Sequence, residues 1–209
     1  MNSREIEEYK KKLKISKRQK DIIVGLILGD GHLEQQGQFS RLKVEYSLSS
    51  KDYVQWLYEE LKPFVLSPPK EKRSSSYYFQ TLSVRNLKFF RDQFYDERGK
   101  KRIPKTITKM LNPLAVAVWF MDDGSIKSKK HKGYSIHTLD FKKKELNLLL
   151  NALKERYGID ARIHLQGKYE KNRWRIYIPG SSADSFEKII SPYLLPSFRY
   201  KLANKMPKE

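Results

Sequence analysis

Two long apolar segments stand out in a chain that is otherwise rich in charged residues. They cover residues 22–31 and 114–124, and each ends in Asp-Gly. A segment that is apolar at every position, and not only at every third or fourth, is typical of a helix buried on all sides. The aspartates, Asp30 and Asp123, lie 93 residues apart. The pattern therefore predicts an internal repeat with a buried helix near the start of each copy.

The ends of these segments carry helix signals. Ser16 and Gln19 have the spacing of a capping box before the first segment. Gly31 and Gly124 follow the two segments, where a left-handed backbone is common after a helix. Gly25 lies inside the first segment and leaves room for a second backbone. We therefore expect the two helices to pack closely against each other.

The same order of elements follows each apolar segment. Alternating apolar residues predict strands and a 3.6-residue period predicts helices, so each copy has the order α-β-β-α-β-α. The chain is therefore predicted to be an α+β protein of two pseudo-symmetric αββαβα-like repeats, residues 1–105 with a basic N-terminal extension and residues 106–209. The further predicted strands are 32–39, 41–48, 76–84, 125–129, 134–139, 161–166 and 173–178, and the further predicted helices are 51–61, 86–96, 142–157 and 182–191.

Several predicted strands have one apolar and one basic face. In the first half the apolar face consists of Leu42, Val44, Tyr46 and Leu48, and in the second half of Trp174, Ile176 and Ile178. Arginine and lysine side chains alternate with these residues. Guanidinium and ammonium groups along a strand suit base edges and phosphates in a DNA groove, although a solvated strand face would have the same pattern.

The charge balance points to a polyanionic partner. The chain has 209 residues, with 43 Lys and Arg against 24 Asp and Glu and a formal charge of +19. The excess is shared about evenly by the two halves, which favours a long nucleic-acid surface over a basic tail. There is no cysteine, which excludes disulfides, thiol catalysis and zinc held by cysteine. The charged N-terminus and the lack of an 18-residue apolar segment predict an intracellular protein, cytoplasmic or organellar, that is not secreted and does not bind membranes.

The two aspartates require compensation if their helices pack side by side. Like charges about 4 Å apart repel by roughly 4 kcal/mol at an effective dielectric constant near 20. Oxygen ligands without histidine or cysteine favour Mg²⁺ over zinc, and Mn²⁺ is expected to substitute for it. A divalent ion held by carboxylates and phosphates is suited to phosphodiester hydrolysis.

At these residues the sequence resembles the LAGLIDADG homing endonucleases, in their single-chain form with two motifs. Residues 23–31 and 116–124 occupy the two motif positions. Residues 65–69 and 200–202 resemble the omega-type intron endonucleases of yeast mitochondria within that family. The resemblance covers nearly the whole chain.

The resemblance implies a monomer whose motif helices pack at the centre and whose two saddle-shaped antiparallel sheets follow the major groove of a long DNA target. Both strands would be cut across the minor groove, leaving short 3′ overhangs. Asp30 and Asp123 would hold the metal, with the backbone carbonyls of Gly29 and Asp122 as further ligands. Val118 stands where the motif often has glycine, so the second helix would rely on smaller neighbours, Ala115 and Ala117.

The same resemblance places active-site lysines at Lys101 and Lys201. The internal repeat, in contrast, pairs Lys201 with Lys109, so the first-half lysine is left open between Lys101 and Lys109. The expected DNA contacts lie on the basic strand faces and loop tips: Arg41, Lys43, Lys72, Arg73, Lys127, Lys129, Arg162, Arg173 and Arg175.

Two other functions fit the same pattern. One is an RNA maturase that helps an intron to splice, with intron RNA as partner. The other is a DNA-binding regulator that uses the fold without metal. Both aspartates are present, which favours cleavage but leaves a dual role open.

Overall fold

The structure is a computed structural model that describes residues 3–128, 132–138, 141–165 and 173–203. Lys129 lies outside the described residues. Within these ranges the helices are α1 (Ser3–Lys12), α2 (Lys17–Leu28), α3 (Lys51–Leu61), α4 (Arg85–Phe94), α5 (Ile107–Met110), α6 (Pro113–Asp123), α7 (Lys143–Tyr157) and α8 (Gly180–Ile190). The strands are β1 (His32–Gln36), β2 (Phe39–Ser47), β3 (Lys70–Lys72), β4 (Ser76–Gln80), β5 (Gly124–Ser128), β6 (Gly133–His137), β7 (Arg162–Leu165) and β8 (Trp174–Ile178).

Two four-stranded antiparallel sheets have the same topology. The first has the order β1-β2-β4-β3 and the second has the order β5-β6-β8-β7. The predicted α+β class and the two matched repeats are confirmed. The first repeat contains one strand more than predicted, because β3 has only three residues and all three are exposed. Such a short strand has no apolar alternation that would predict it.

The strand faces largely follow the predicted alternation. Leu42 and Val44 of β2 are buried, as are Ile176 and Ile178 of β8. Leu48 was expected to face the core, but it is 37% exposed. The reason is that β2 ends at Ser47 and Leu48 begins a 3-10 turn, where the two-residue period stops.

Helices α2 and α6 pack against each other at the centre of the molecule. Seven consecutive residues of α2 and eight of α6 are buried, as expected for helices that are apolar on every side. The capping box of α2 is formed, with the backbone N–H of Gln19 donating to the Ser16 hydroxyl at 3.1 Å. The predicted buried helix pair is therefore present.

The closest approach of the pair occurs at Gly25. A Cβ added there would lie 2.6 Å from the carbonyl oxygen of Ala115 and 2.6 Å from the Cβ of Val118. Val118 is the residue that replaces glycine in the second segment, and it faces the glycine of the first. The close contact therefore involves Val118 as well as Ala115, since a glycine on the facing helix leaves enough room for the valine.

The glycine after α6 has a packing role. Gly124 has a φ of −80°, so the expected left-handed backbone is absent. A Cβ at Gly124 would lie 2.0 Å from the ring of Phe120. The glycine is needed for close packing of the chain as it leaves the helix and enters β5.

Further expectations concern membranes, the boundary between the repeats, the cellular location and the oligomeric state. None of the helices in the described ranges is long and apolar enough to span a membrane. The division of the chain near residue 105, the cellular location and the monomeric state stay predictions.

We expect Gly25→Ala to destabilise the protein by about 1–3 kcal/mol, the usual cost of overpacking a filled core. The added methyl group meets backbone and a β-branched side chain, and neither can move far. The urea midpoint of unfolding measures the effect. Ser185→Ala, at an exposed position of α8, is the matched control, and equal midpoints for the two variants would contradict the close approach.

Candidate active site

The ends of α2 and α6 meet beneath the two sheets. Gly29 faces Asp122 there, and a Cβ on Gly29 would lie 2.3 Å from the Oδ2 atom of Asp122. The backbone N–H of Asp30 donates to that same Oδ2 at 3.0 Å. The structure therefore brings Asp30 together with the Asp122-Asp123 pair, as the repeat predicted. Asp30 is exposed, whereas Asp122 and Asp123 are half-buried.

The electrostatics of the carboxylates reflect this crowding. Burial, with the nearby charges of Asp30 and Asp122, raises the pKa of Asp123 to about 8. Burial and the charge of Asp30 raise the pKa of Asp122 to about 7. Each shift means that a negative charge is costly at this place unless a cation balances it.

The donor set suits a hard divalent cation. Asp30 and Asp123 supply carboxylate oxygens, and the nearby helix ends supply carbonyl oxygens. Among the described residues no group of three or more His, Asp or Glu side chains is arranged to hold a metal. Mg²⁺ is commonly bound by one or two carboxylates, with water and substrate phosphate completing the octahedron. The residues present therefore fit such an ion.

Two lysines reach the carbonyl groups at the ends of the helices. Lys101 Nζ donates to the carbonyl of Gly29 at 2.5 Å, and Lys201 Nζ donates to the carbonyl of Met121 at 2.6 Å. The last carbonyls of a helix carry partial negative charge and attract cations. Both lysines lower the pKa of Asp123, opposing the shift toward 8. Burial lowers the pKa of Lys201 itself.

The position of Lys101 bears on the choice left open by the sequence. Lys101 pairs with Tyr95 in an isolated β-bridge after α4. Lys109 is exposed and lines a cavity with Lys17, at the opposite end of α2. The spatial counterpart of Lys201 is therefore Lys101, and the repeat spacing was misleading. Lys201 ends a 3-10 helix while Lys101 lies in a β-bridge, so different local structures bring the two side chains to the site.

The sequence analysis missed the role of the Asp122 side chain. Its Oδ1 atom accepts hydrogen bonds from the hydroxyl groups of Tyr46, at 2.9 Å, and Tyr53, at 2.8 Å. Burial raises the pKa of both tyrosines well above the ordinary value. The sequence pattern indicated Asp122 only as a candidate metal ligand. The one signal in the sequence was the mismatch between Gly29 and Asp122 at equivalent positions of the repeat.

Comparison with known proteins agrees with this geometry. The model of the LAGLIDADG DNA endonuclease family matches residues 20–186. The chain belongs to this family. It is 28% identical over 96% of its length to a probable intron-encoded endonuclease 1 of Wickerhamomyces canadensis, covering 91% of that protein.

Two further matches of this LAGLIDADG protein carry different names, one of an mRNA maturase and one of a homing endonuclease. It is 31% identical, over 88% of its length, to the cytochrome b mRNA maturase bI2 of Saccharomyces cerevisiae, of which it spans 47%. The solved structure of the homing endonuclease I-WcaI bound to its DNA recognition sequence matches with a TM-score of 0.85 and 28% identity, covering 96% of this chain and 93% of that one. The predicted family and fold are confirmed.

The basic face of the first LAGLIDADG sheet is partly neutralised by its own carboxylates. Arg41 and Lys43 both form ion pairs with Glu34, at 2.5 and 3.0 Å. Lys72 forms an ion pair with Glu45 at 2.5 Å. Arg73 is exposed at the turn after β3. These four basic residues were predicted to contact DNA, and for Arg41, Lys43 and Lys72 the structure shows ion pairs that the prediction did not include.

The second sheet presents its expected basic residues differently. Lys127 lies over the ring of Tyr177, 4.4 Å from its centroid. Arg162 and Arg173 are exposed, and Arg175 is half-buried. The structure gives no hydrogen-bond partner among the described residues for the buried Nε atom of Arg175.

The raised pKa of Asp123 predicts a pH-dependent cost in the metal-free protein. Its carboxyl group keeps a proton in the folded state that the unfolded state loses near pH 4, so stability falls as pH rises from about 4 to about 8. Asp123→Asn removes this cost. We expect the variant to melt about 2–4 °C above the wild type at pH 8, corresponding to roughly 1 kcal/mol, with the difference shrinking toward pH 4.

Differential scanning calorimetry in the presence of a chelator measures this difference. Asp184→Asn, at an exposed position of α8, is the control and should melt with the wild type at each pH. A constant gap between Asp123→Asn and the wild type across this range would contradict the electrostatic cause.

Proposed function

We propose that this protein is a site-specific DNA endonuclease, a homing endonuclease that hydrolyses both strands of a long duplex target and leaves short 3′ overhangs. The observation that carries the proposal is the meeting of Asp30 and Asp123 at the ends of the two central helices, with Lys101 and Lys201 beside them. Membership of the LAGLIDADG DNA endonuclease family supports it. So does the similarity to I-WcaI, whose structure is bound to DNA. We further propose that the protein acts as a monomer, because one chain contains both half-sites.

In this proposal Asp30 and Asp123 hold Mg²⁺, which Mn²⁺ can replace, and the carbonyls of Gly29 and Asp122 are further ligands. When bound, the ion lowers the pKa of a water molecule and stabilises the charge on the scissile phosphate. Lys101 and Lys201 keep positive charge at the helix ends, where each can orient a water molecule or a phosphate oxygen. One carboxylate and one lysine from each half supply the groups for the two strands.

The two sheets would follow the major groove on either side of this site. Phosphate contacts fix the register of the protein, and base contacts specify the sequence. The side chains of Arg41, Lys43 and Lys72 would exchange their ion pairs with Glu34 and Glu45 for DNA groups. The remaining proposed contacts come from the turn after β3, from the second sheet and from a segment outside the described residues: Arg73, Lys127, Lys129, Arg162, Arg173 and Arg175.

A second function, RNA maturation, is favoured by one specific observation. The chain resembles the mRNA maturase bI2 over 88% of its own length. Intron RNA would bind to the same basic surface, and this binding would not require the carboxylates. The two activities are therefore separable by variants of the aspartates. The non-cleaving regulator has less support, because it would leave the cost of the two adjacent carboxylates without a purpose.

The decisive experiment compares Asp30→Asn and Asp123→Asn with the wild type. Sequencing the ends cut from a randomised duplex library in Mg²⁺ identifies the target and the overhang. On that target we expect each variant to lose cleavage by about 100-fold or more, the scale found when one charge-stabilising group is removed, while the dissociation constant for DNA changes little. Cleavage by both variants at the wild-type rate would contradict the assignment.

The same variants separate the two functions. A maturase would still promote splicing of its intron RNA after either aspartate is changed to asparagine. Loss of splicing together with cleavage would instead place RNA and metal at one site.

The basic strand face gives a second test of the proposal. We expect Arg173→Ala to relax base preference at particular positions of the target, at a cost of about 1–3 kcal/mol there. A binding assay over all single-base variants of the target measures this. Lys188→Ala, at an exposed position of α8, is the control, and an unchanged preference profile for Arg173→Ala would place the start of β8 away from the groove.

A further inference from the structure

The two central helices end differently although their sequences repeat. Helix α2 ends at Leu28, so Asp30 lies outside it, whereas Asp123 is the last residue of α6. The chain around Asp30 is held by bonds from Gly29 N to Gly25 O and from Gly31 N to Leu26 O, at 3.0 and 2.7 Å. The N–H of Asp30 itself points across to the other repeat and donates to Asp122 Oδ2.

Within the described residues, the second repeat has no equivalent contact, in which the backbone N–H of Asp123 would donate to a carboxylate of the first repeat. The residue that matches Asp122 in the first repeat is Gly29, which has no side chain. The carboxylate of Asp122 occupies the space where a Gly29 side chain would begin. No carboxylate at the equivalent first-half position can therefore reach the backbone of Asp123. The two half-sites share a pseudo-twofold arrangement but differ in how their aspartates are held.

The Asp122 carboxylate is itself firmly held. Its other oxygen accepts from Tyr46 and Tyr53, both in the first repeat. The Tyr53 ring is 1% exposed and packs edge-on against Phe198, with ring centroids 5.1 Å apart. Lys201 Nζ lies 5.2 Å from the centre of the Phe198 ring.

With one bond from Asp30 and two from tyrosines, the side chain of Asp122 is engaged at both oxygens. The three donors fix the orientation of this carboxylate and leave it one acceptor site, on Oδ2. Its chemistry is therefore that of an acceptor that orients a backbone N–H. The N–H it orients belongs to the residue proposed to hold the metal in the first repeat.

We propose that Asp122, held by Tyr46 and Tyr53, is a positioning residue for Asp30, and that it makes the two half-sites unequal. The inference rests on the proposed endonuclease function. Loss of the contact loosens Asp30 but leaves Asp123 in its helix. It therefore slows cleavage of the strand that depends on Asp30 more than cleavage of the other strand.

The test measures each strand separately. A target duplex labelled with a different fluorophore on each strand is cut by Asp122→Ala, by Asp122→Asn and by Tyr46→Phe combined with Tyr53→Phe. The strand that depends on Asp30 is the one that Asp30→Asn slows more. We expect Asp122→Ala to slow that strand about 10-fold or more relative to the other, since small displacements of a reacting group cost factors of this size. Asp122→Asn keeps one acceptor oxygen and should recover part of the loss.

The control is a tyrosine hydrogen bond away from the site. Tyr157 of α7 is half-buried and donates to the carbonyl of Leu111, before the start of α6, at 2.7 Å. Tyr157→Phe removes this bond without touching either half-site, so it should lower stability and leave the ratio of strand rates unchanged. Equal slowing of both strands by the Asp122 and tyrosine variants would overturn the inference, because a purely structural contact acts on both half-sites alike.

A second measurement does not depend on cleavage and covers any variant with poor activity. The amide proton of Asp30, assigned by NMR in ¹⁵N-labelled protein, should exchange at least about 10-fold faster in the double tyrosine variant than in Tyr157→Phe. Unchanged exchange would overturn the positioning role. Absence of cleavage by the wild type would overturn the proposed function, and the amide measurement would still decide the contact.

Discussion

The close approach of α2 and α6 is the constraint on which the site depends. Both helices are apolar on all sides, so they reach their lowest free energy only when packed between the sheets and against each other. Gly25 and Gly29 allow the two helix axes to approach closely. This approach also brings together the Asp-Gly sequences that follow the apolar segments. The carboxylates therefore meet because the hydrophobic segments before them are buried, and not because the acidic groups attract one another.

Several groups affect the free-energy cost of placing the carboxylates close together. Burial and mutual repulsion raise the pKa of Asp122 and Asp123. The charges of Lys101 and Lys201 lower the pKa of Asp123. Asp122 is further stabilised by two tyrosine hydroxyls. Asp123 has less compensation within the protein, which makes it the carboxylate with the most to gain from a divalent cation.

The sequence predicted the parts of the fold that depend on hydrophobic periodicity. The burial of residues 22–28 and the alternation at Leu42 and Val44 follow from local pattern, and so does the duplicated order of elements. Side-chain partners from distant segments were not predictable. The bonds from Tyr46 and Tyr53 to Asp122 join residues 69 to 76 positions apart, and no local pattern encodes that distance.

The same limit explains the errors. The pairing of Lys201 with Lys109 relied on constant spacing, but the two repeats reach the site through different turns. The ion pairs of Arg41 and Lys43 with Glu34 depend on strand register, which places these side chains on one face of β1 and β2. Once the register is known, the pairs follow directly from geometry.

The contact between Gly29 and Asp122 also explains what a fused chain can achieve that a homodimer cannot. In a homodimer with a true twofold axis, identical residues would oppose each other at this point. Two aspartates would collide there, because the carboxylate of Asp122 already occupies the space where a side chain at Gly29 would begin. Covalent joining of the repeats removes the symmetry requirement, so a small residue on one side can accommodate an acid on the other. If the proposed endonuclease function holds, independent substitution on each side of the axis lets each half specialise for its own DNA strand.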